Sequence, residues 1–166
     1  MLKNVISLFI VFLLSGSAFS QTLILSDKLQ LQYDAPQLIS HTADTLIVKY
    51  KNWSFVHELV NPKNMYPRID LSGVERIYLH SIFDAKEKEK LPKWLGLLAE
   101  EQAQLFGVKK DNVRRKNVAG AEIVAVFNSD HSSSHIYIFE ELKIHHIEIH
   151  GDEKMLSDFI ENIGVR

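Results

Sequence analysis

The sequence contains no cysteine among its 166 residues. This excludes disulfide scaffolds, cysteine-ligated zinc and iron–sulfur sites, cysteine nucleophiles and lipid-modified cysteines. Glycine is scarce, with seven residues, and none forms the arrays that bind phosphate in P-loops or dinucleotide-binding folds. The Gly-x-Ser-x-Gly and His-Glu-x-x-His patterns of hydrolases are also missing from the sequence. Because the common catalytic motifs are missing, we expect a protein that is not an enzyme.

Neither sign of charge dominates the composition. Lys and Arg total 19 and Asp and Glu total 21, so the formal net charge is −2. A nucleic-acid partner is not expected, because binding the phosphate backbone requires a surplus of basic residues. Hydrophobic residues make up 46% of the chain and charged residues 24%. These fractions are typical of an ordinary globular domain and exclude disordered and coiled-coil compositions.

The first twenty residues have the pattern of a secretory signal peptide. Lys3 is followed by an apolar run over residues 5–14, and Ala18 and Ser20 place small residues before a cut at Gln21. The alternative is a membrane anchor. A spanning helix needs about 20 apolar residues, so the short run favours a cleaved signal. No cysteine follows the run, which excludes a bacterial lipoprotein.

Removal of residues 1–20 leaves a domain over residues 21–166. Lys3 is lost with the leader and no acidic residue is, so the net charge becomes −3. We expect this mature chain to contain no transmembrane segment. The expected location is outside the cytoplasm, in the periplasm of a Gram-negative bacterium.

Hydrophobic periodicity predicts a single α+β domain in the mature chain. Period-2 alternation is typical of strands, and apolar residues spaced by three and four are typical of helices. The predicted strands cover residues 29–33, 46–50, 53–60, 113–118, 121–127, 135–140 and 144–150. The predicted helices cover residues 72–83, 92–106 and 152–163. This order predicts an antiparallel β-sheet with about three helices packed on it.

The element order resembles that of the PsbP-like α/β/α sandwich proteins, which include DcrB-type bacterial envelope proteins. The segments 136–139, 147–151 and 155–163 carry most of the resemblance. The loop at 61–71 and the charged run at 86–90 have no counterpart in that pattern. The resemblance implies a three-layer fold and a function in binding other proteins, since most members of the group are not enzymes.

Histidine is concentrated near the end of the chain. If the turn between the last two strands lies near Leu142, Ile136 faces Ile149 and His135 faces His150. One face of this hairpin is then apolar and the other carries imidazole and carboxylate groups, which suit a divalent transition metal such as zinc. The residues predicted to hold the metal are His131, His135, His146, Glu148 and His150.

Two other interpretations of the histidine-rich face remain open. Period-2 polar residues are ordinary on the solvated face of an antiparallel sheet, and such residues need no ligand. In that case the protein has no cofactor. Histidine also changes charge near neutral pH, so the face is a candidate for a pH-sensitive interface.

Partner-binding residues are predicted at two places. Aromatic side chains that are exposed often anchor interfaces, and Trp53 and Tyr66 are candidates of this kind, with Tyr78 as a further one. The alternative is that these aromatic residues belong to the core. A local basic patch contains Lys109, Lys110, Arg114 and Arg115. That patch suits an acidic partner, or else it belongs to an edge strand whose charges prevent aggregation.

These observations together predict an exported accessory protein that binds another macromolecule. The expected partner is a protein, either a secreted toxin or an envelope complex. If the partner is a toxin aimed at the cell envelope, the protein is an immunity protein. The alternative function is that of a metal-binding or metal-dependent periplasmic protein that uses the histidine-rich hairpin.

Overall fold

The computed structural model describes residues 21–166, so the predicted signal peptide lies outside the described residues. The described part of the chain forms ten strands and four helices. The strands are β1 Gln21–Ile24, β2 Leu29–Tyr33, β3 Leu38–His41, β4 Thr45–Lys49, β5 Ser54–Leu59, β6 Arg114–Val118, β7 Ala121–Asn128, β8 Ser133–Phe139, β9 Ile144–His150 and β10 Ile163–Val165. The helices are α1 Glu75–Phe83, α2 Ala85–Lys88, α3 Lys93–Leu105 and α4 Glu153–Glu161.

The strands form two antiparallel sheets. The large sheet has seven strands in the order β3-β4-β5-β9-β8-β7-β6, and the small sheet has the order β1-β2-β10. The β4–β5 and β8–β9 hairpins were both predicted from alternation. The fold class, α+β with an antiparallel sheet and helices packed on it, is confirmed. None of the four helices within residues 21–166 is both long enough and apolar enough to span a bilayer.

One side of the large sheet, here called the small-sheet face, packs against the small sheet and α4. Its buried residues include Phe55, Ile136 and Ile147 from the large sheet, together with Leu31 from β2 and Phe159 from α4. Phe159 lies on α4, and Asp152 is the N-cap of this helix. The Asp152 carboxylate accepts a hydrogen bond from the Met155 amide at 3.0 Å.

The opposite side, here called the helix-covered face, packs against α1 and α3. Val124, Tyr137 and Phe139 of the sheet contact Leu79 of α1 and Ala99 of α3 within one buried cluster. Tyr78 is fully buried in this cluster, so of the two positions predicted for it the core position is correct and the exposed one is not. The interpretation of this face as a solvated one was also wrong, because Tyr137 and Phe139 lie beneath the helices.

The register of the β8–β9 hairpin differs from the prediction by two residues. His135 pairs with Glu148 rather than His150, and Ile136 pairs with Ile147 rather than Ile149. His150 pairs with Ser133 instead. A shift of two residues keeps each side chain on its predicted face but changes which residues are opposite. The assignment of residues to the two faces was therefore correct, while their pairing was wrong.

Gly107 ends α3 in a Schellman motif. Its φ is +67°, its amide donates to Gln104 at 3.0 Å, and the Val108 amide donates to Ala103 at 2.8 Å. A Cβ at this position would lie 2.9 Å from the Asn128 Cγ atom. Asn128 has little freedom to move, because its amide nitrogen donates to the Leu105 carbonyl at 2.9 Å.

We expect Gly107→Ala to destabilise the domain more than Gly120→Ala does. Gly120 also has a positive φ, +82°, but a Cβ there meets nothing within 4 Å. Its replacement therefore carries only the backbone cost, about 1–2 kcal/mol. Urea unfolding of the two variants measures the difference, which reports the clash with Asn128. Equal losses would contradict a steric role for Asn128.

Candidate functional site

A cleft lies on the helix-covered face, where the helices leave the strands β5 and β9 open. Its volume is about 780 Å³. The floor is formed by strands β5, β8 and β9, and the walls by α1, α3 and the segment after β5. The lining residues are Ala43, Asp44, Glu58, Leu59, Val60, Asn61, Pro62, Asn64, Met65, Tyr66, Tyr78, Leu79, Ile82, Gln102, Phe106, His135, Tyr137, His146 and Glu148.

A chain of three side chains crosses the floor of the cleft. Glu58 Oε1 lies 3.0 Å from His146 Nδ1, and His146 Nε2 lies 3.3 Å from His135 Nδ1. A carboxylate can only accept, so His146 carries a proton on Nδ1, and when that ring is neutral its Nε2 is an acceptor. His135 then donates from Nδ1. We call this arrangement the cleft triad.

Packing fixes the rings of the cleft triad. His135 is 9% exposed and stacks on Phe106 with ring centroids 3.8 Å apart. His146 stacks on Tyr137 at 4.6 Å. Burial, with the nearby His146 and His150, lowers the pKa of His135 to about 3, so this imidazole is neutral at physiological pH. The hydrogen bond from His146 holds the pKa of Glu58 below its usual value.

Two tyrosines and a glutamine form the helical wall of the cleft. The Tyr66 hydroxyl donates to Gln102 Oε1 at 2.8 Å and is hydrogen-bonded to the Tyr78 hydroxyl. Burial raises the pKa of Tyr66 and Tyr78, so both phenols remain protonated. The pair joins the 61–71 loop to α1 and α3 and holds the aromatic edge of the cleft in place.

The charges that line the cleft are all of one sign. Asp44, Glu58 and Glu148 contribute carboxylates, and the lining includes no Lys or Arg. In a partly enclosed space, charges of one sign favour a ligand of the opposite sign. The cleft is therefore suited to a positively charged group.

A second triad of the same composition lies on the small-sheet face. His57 Nε2 is 2.9 Å from His145 Nδ1, and His145 Nε2 is 3.1 Å from Glu140 Oε2. Ser26 donates to the other Glu140 oxygen at 2.7 Å. His145 is completely buried, His57 and Glu140 are half-buried, and none of the three lines the cleft, so this second triad lies apart from it. It joins the turn before β2 to the large sheet and has a structural role.

The structure separates the predicted metal-binding residues. His135, His146 and Glu148 line the cleft, whereas His150 is exposed and lies 3.3 Å from Glu148. His131 lies in the exposed turn between β7 and β8. Within residues 21–166, no group of three or more His, Asp or Glu side chains is arranged to hold a metal ion.

The basic patch is largely neutralised by neighbouring acids. Arg114 forms an ion pair with Glu153, and Arg115 lies 2.7 Å from Glu122. Both arginines belong to β6, which is an edge strand of the large sheet. Lys109 and Lys110 are exposed in the turn after α3. This arrangement favours the role of charged residues on an edge strand.

The two predicted aromatic contacts occupy different places. Tyr66 lies in the wall of the cleft, as described above. Trp53 lies before β5 on the opposite side of the sheet and stacks on Tyr50 with ring centroids 4.2 Å apart. It lines a smaller cleft beside α4 with Met155 and Phe159.

Sequence reasoning missed four residues of the cleft: Asp44, Glu58, Tyr78 as a wall residue, and Gln102. They come from four separate segments of the chain. The alternation of side chains around β5 predicted that Glu58 lies on the face of the strand opposite His57. The pairing of β5 with β9 that brings Glu58 beside His146 has no signal in the sequence.

The proton positions in the cleft triad can be tested directly. We expect neutral His146 to be the Nδ1–H tautomer and His135 the same, since the Glu58 carboxylate sets the direction of both hydrogen bonds. Long-range ¹H–¹⁵N spectra of the histidine rings distinguish the tautomers. In Glu58→Leu we expect the His146 tautomer population to shift toward Nε2–H. An unchanged Nδ1–H population in that variant would contradict the assigned direction.

Comparison with solved structures gives a distant likeness. No family model and no curated protein matches the chain. Among solved structures it is similar to the solution structure of cyanobacterial PsbP (CyanoP) from Synechocystis sp. PCC 6803, at 8% identity and a TM-score of 0.49. The match covers 92% of this chain and 95% of that one. That protein is a PsbP, the kind of protein that the sequence pattern resembles, and the resemblance to DcrB-type proteins stays a prediction.

Proposed function

We propose that the protein is an exported, non-enzymatic binding protein that holds part of a protein partner in the cleft. The observation that supports this is the cleft itself, an open space of about 780 Å³ with ordered aromatic and carboxylate walls. Ligand sites in proteins are commonly concave, with apolar and aromatic walls and a few oriented polar groups. The cleft has this composition.

The cleft is a better candidate than the basic patch. Arg114 and Arg115 already form ion pairs within the domain, so a partner would have to compete for them. Glu58 and Glu148 pair only with histidine side chains, which carry a charge only when protonated. Their charges are less neutralised, and a partner group of opposite sign would gain more from contact with them.

The pattern of residues 1–20 supports export, and we propose the periplasm as the location. Two kinds of biological role suit a small exported binding protein. It acts as an accessory subunit of an envelope complex, or as an immunity protein that binds a toxin delivered to the envelope. Both roles require a bound macromolecule, and both predict that the bound segment enters the cleft.

Site-specific photo-crosslinking in the intact cell envelope tests this proposal. A photoreactive amino acid at Asn64, which lines the cleft, is expected to form a discrete adduct with one protein. The same amino acid at Lys110 tests the basic patch, and at the 90% exposed Leu142 it serves as the control. Adducts that are equal at all three positions, or confined to Lys110, would contradict binding in the cleft.

Metal binding is the second candidate function. The observation that favours it is the 3.3 Å distance between His135 Nδ1 and His146 Nε2, a separation that two ligands of one tetrahedral zinc ion adopt. Glu58 would then orient His146 from behind, as outer carboxylates do in zinc sites. Titration of the purified mature protein with zinc is expected to shift the two imidazole resonances. Unchanged spectra at stoichiometric zinc would exclude this function.

A further inference from the structure

We infer that the cleft binds the guanidinium group of an arginine side chain on the partner protein. This inference rests on the proposed function and names the chemistry of the bound group. Three features of the described cleft carry it: the arrangement of its carboxylates, an acceptor nitrogen on its floor, and aromatic faces beside them.

The carboxylates converge on one part of the cleft floor. Glu58 pairs with His146, and Glu148 pairs with Val56, so the two glutamates lie on the same face as diagonal neighbours on adjacent strands. Residues in this relation are roughly 7–8 Å apart. Asp44 precedes Thr45, which is the partner of Glu58 on β4. A planar group with donors on several edges can contact carboxylates placed in this way.

His135 supplies the acceptor nitrogen. Its side chain is nine-tenths buried and lines the cleft. Nδ1 is hydrogen-bonded to His146, whereas Nε2 has no hydrogen bond to any group within residues 21–166. Since the proton lies on Nδ1, the Nε2 atom is an acceptor that lacks a donor. Because His135 lines the cleft, this acceptor can receive a hydrogen bond from a bound group, and a guanidinium group offers five donors.

An aromatic wall completes the match. Tyr66 lines the cleft together with the carboxylates and is half-buried, whereas Phe106 and Tyr137 are buried beneath the rings of His135 and His146. Guanidinium groups stack on aromatic rings and form paired hydrogen bonds with carboxylates. An anionic group would meet like charges and no Lys or Arg in the lining. The cleft therefore favours a positively charged group with several N–H donors over an anionic group.

Blocked peptides provide a direct test with the purified mature protein. The probe is a tripeptide with a central arginine and blocked termini, compared with the same peptide containing citrulline or glutamate. Citrulline has nearly the shape of arginine without the charge. We expect the arginine peptide to shift the amide and imidazole resonances of Glu58, His135 and Glu148 and to bind at least about 10-fold more tightly than the citrulline peptide.

Variants make the test specific to the cleft. Glu58→Gln and Glu148→Gln are expected to weaken binding of the arginine peptide about 10-fold or more. Glu141→Gln removes an exposed carboxylate outside the cleft and is expected to leave the affinity unchanged. Amide spectra of each variant establish that the fold is retained. The inference is overturned if the citrulline or glutamate peptide binds as tightly as arginine, or if the shifts map outside the cleft.

The two proposals fail separately. A partner that crosslinks at Asn64 while the arginine peptide does not bind would retain the proposed function and remove the inference about arginine. If the arginine peptide binds in the cleft while crosslinking is equal at all three positions, the preference of the cleft for arginine stands and the proposed function is removed.

Discussion

Lowering the pH from 7 to 5 is expected to reduce the free energy of unfolding through His57 and His135. Burial, together with the adjacent His145, lowers the pKa of His57 to about 4. The pKa of His135 is lowered to about 3, also mainly by burial. The ordinary value for both, which applies to the unfolded chain, is 6.5.

The sign of the effect follows from proton uptake. Below about pH 6.5 the unfolded chain binds protons at both histidines, while the folded domain binds them only below about pH 4. Acidification therefore favours the unfolded state, and the stability present at neutral pH falls as the pH drops through this window. At pH 5 each histidine is expected to account for a loss of about 2 kcal/mol.

Urea unfolding at pH 7 and pH 5 measures this loss. In the double variant His57→Gln, His135→Gln the difference between the two pH values should shrink by several kcal/mol. His131→Gln is the matched control, because His131 is exposed and its replacement is expected to leave the pH dependence intact. An identical pH dependence in the double variant and the native protein would show that other groups are responsible.

Phe55→Ala is expected to cost about 3–5 kcal/mol, a large fraction of the stability of a small domain. Phe55 is fully buried at the centre of the small-sheet face. Its ring lies 5.0 Å from that of Phe159 in α4 and 6.4 Å from that of Tyr33 in β2. Truncation would leave a cavity between the large sheet, the small sheet and α4.

Urea unfolding at neutral pH measures this cost, with Phe55→Leu as a milder variant if the alanine variant does not fold. Leu142→Ala provides the control for loss of an apolar side chain at a 90% exposed position, where a change within about 0.5 kcal/mol is expected. A similar loss in the two alanine variants would mean that the small-sheet face contributes little to stability.

The strands that were predicted from apolar and polar alternation are those with one buried face. Leu29 and Leu31 of β2 are buried, and so are Ile147 and Ile149 of β9; both strands were predicted. In contrast, β3 is exposed along all four of its residues, so no apolar alternation distinguishes it from a loop. The strands β1 and β10 are four and three residues long, too short for a periodic signal.

The site was predicted only in part, for two physical reasons. Alternation identifies the face on which His135 and His146 lie, but it does not fix the register, which depends on the turn. It also does not reveal what covers that face. Histidine and tyrosine suit a solvated surface and a buried network equally, and only the packing of α1 and α3 distinguishes the two. Glu58 reaches the site through strand pairing between distant segments.

The two triads also have a consequence for how β5 and β9 align. On β5, Glu58 belongs to the cleft triad and the adjacent His57 to the second triad. On β9, His146 belongs to the cleft triad and the adjacent His145 to the second triad. A slip of one residue would move both sets to the wrong faces at once. A slip of two in one direction would place Glu58 opposite Glu148, where like charges repel. The paired triads therefore favour the native register of β5 and β9 over the registers shifted by one or two residues.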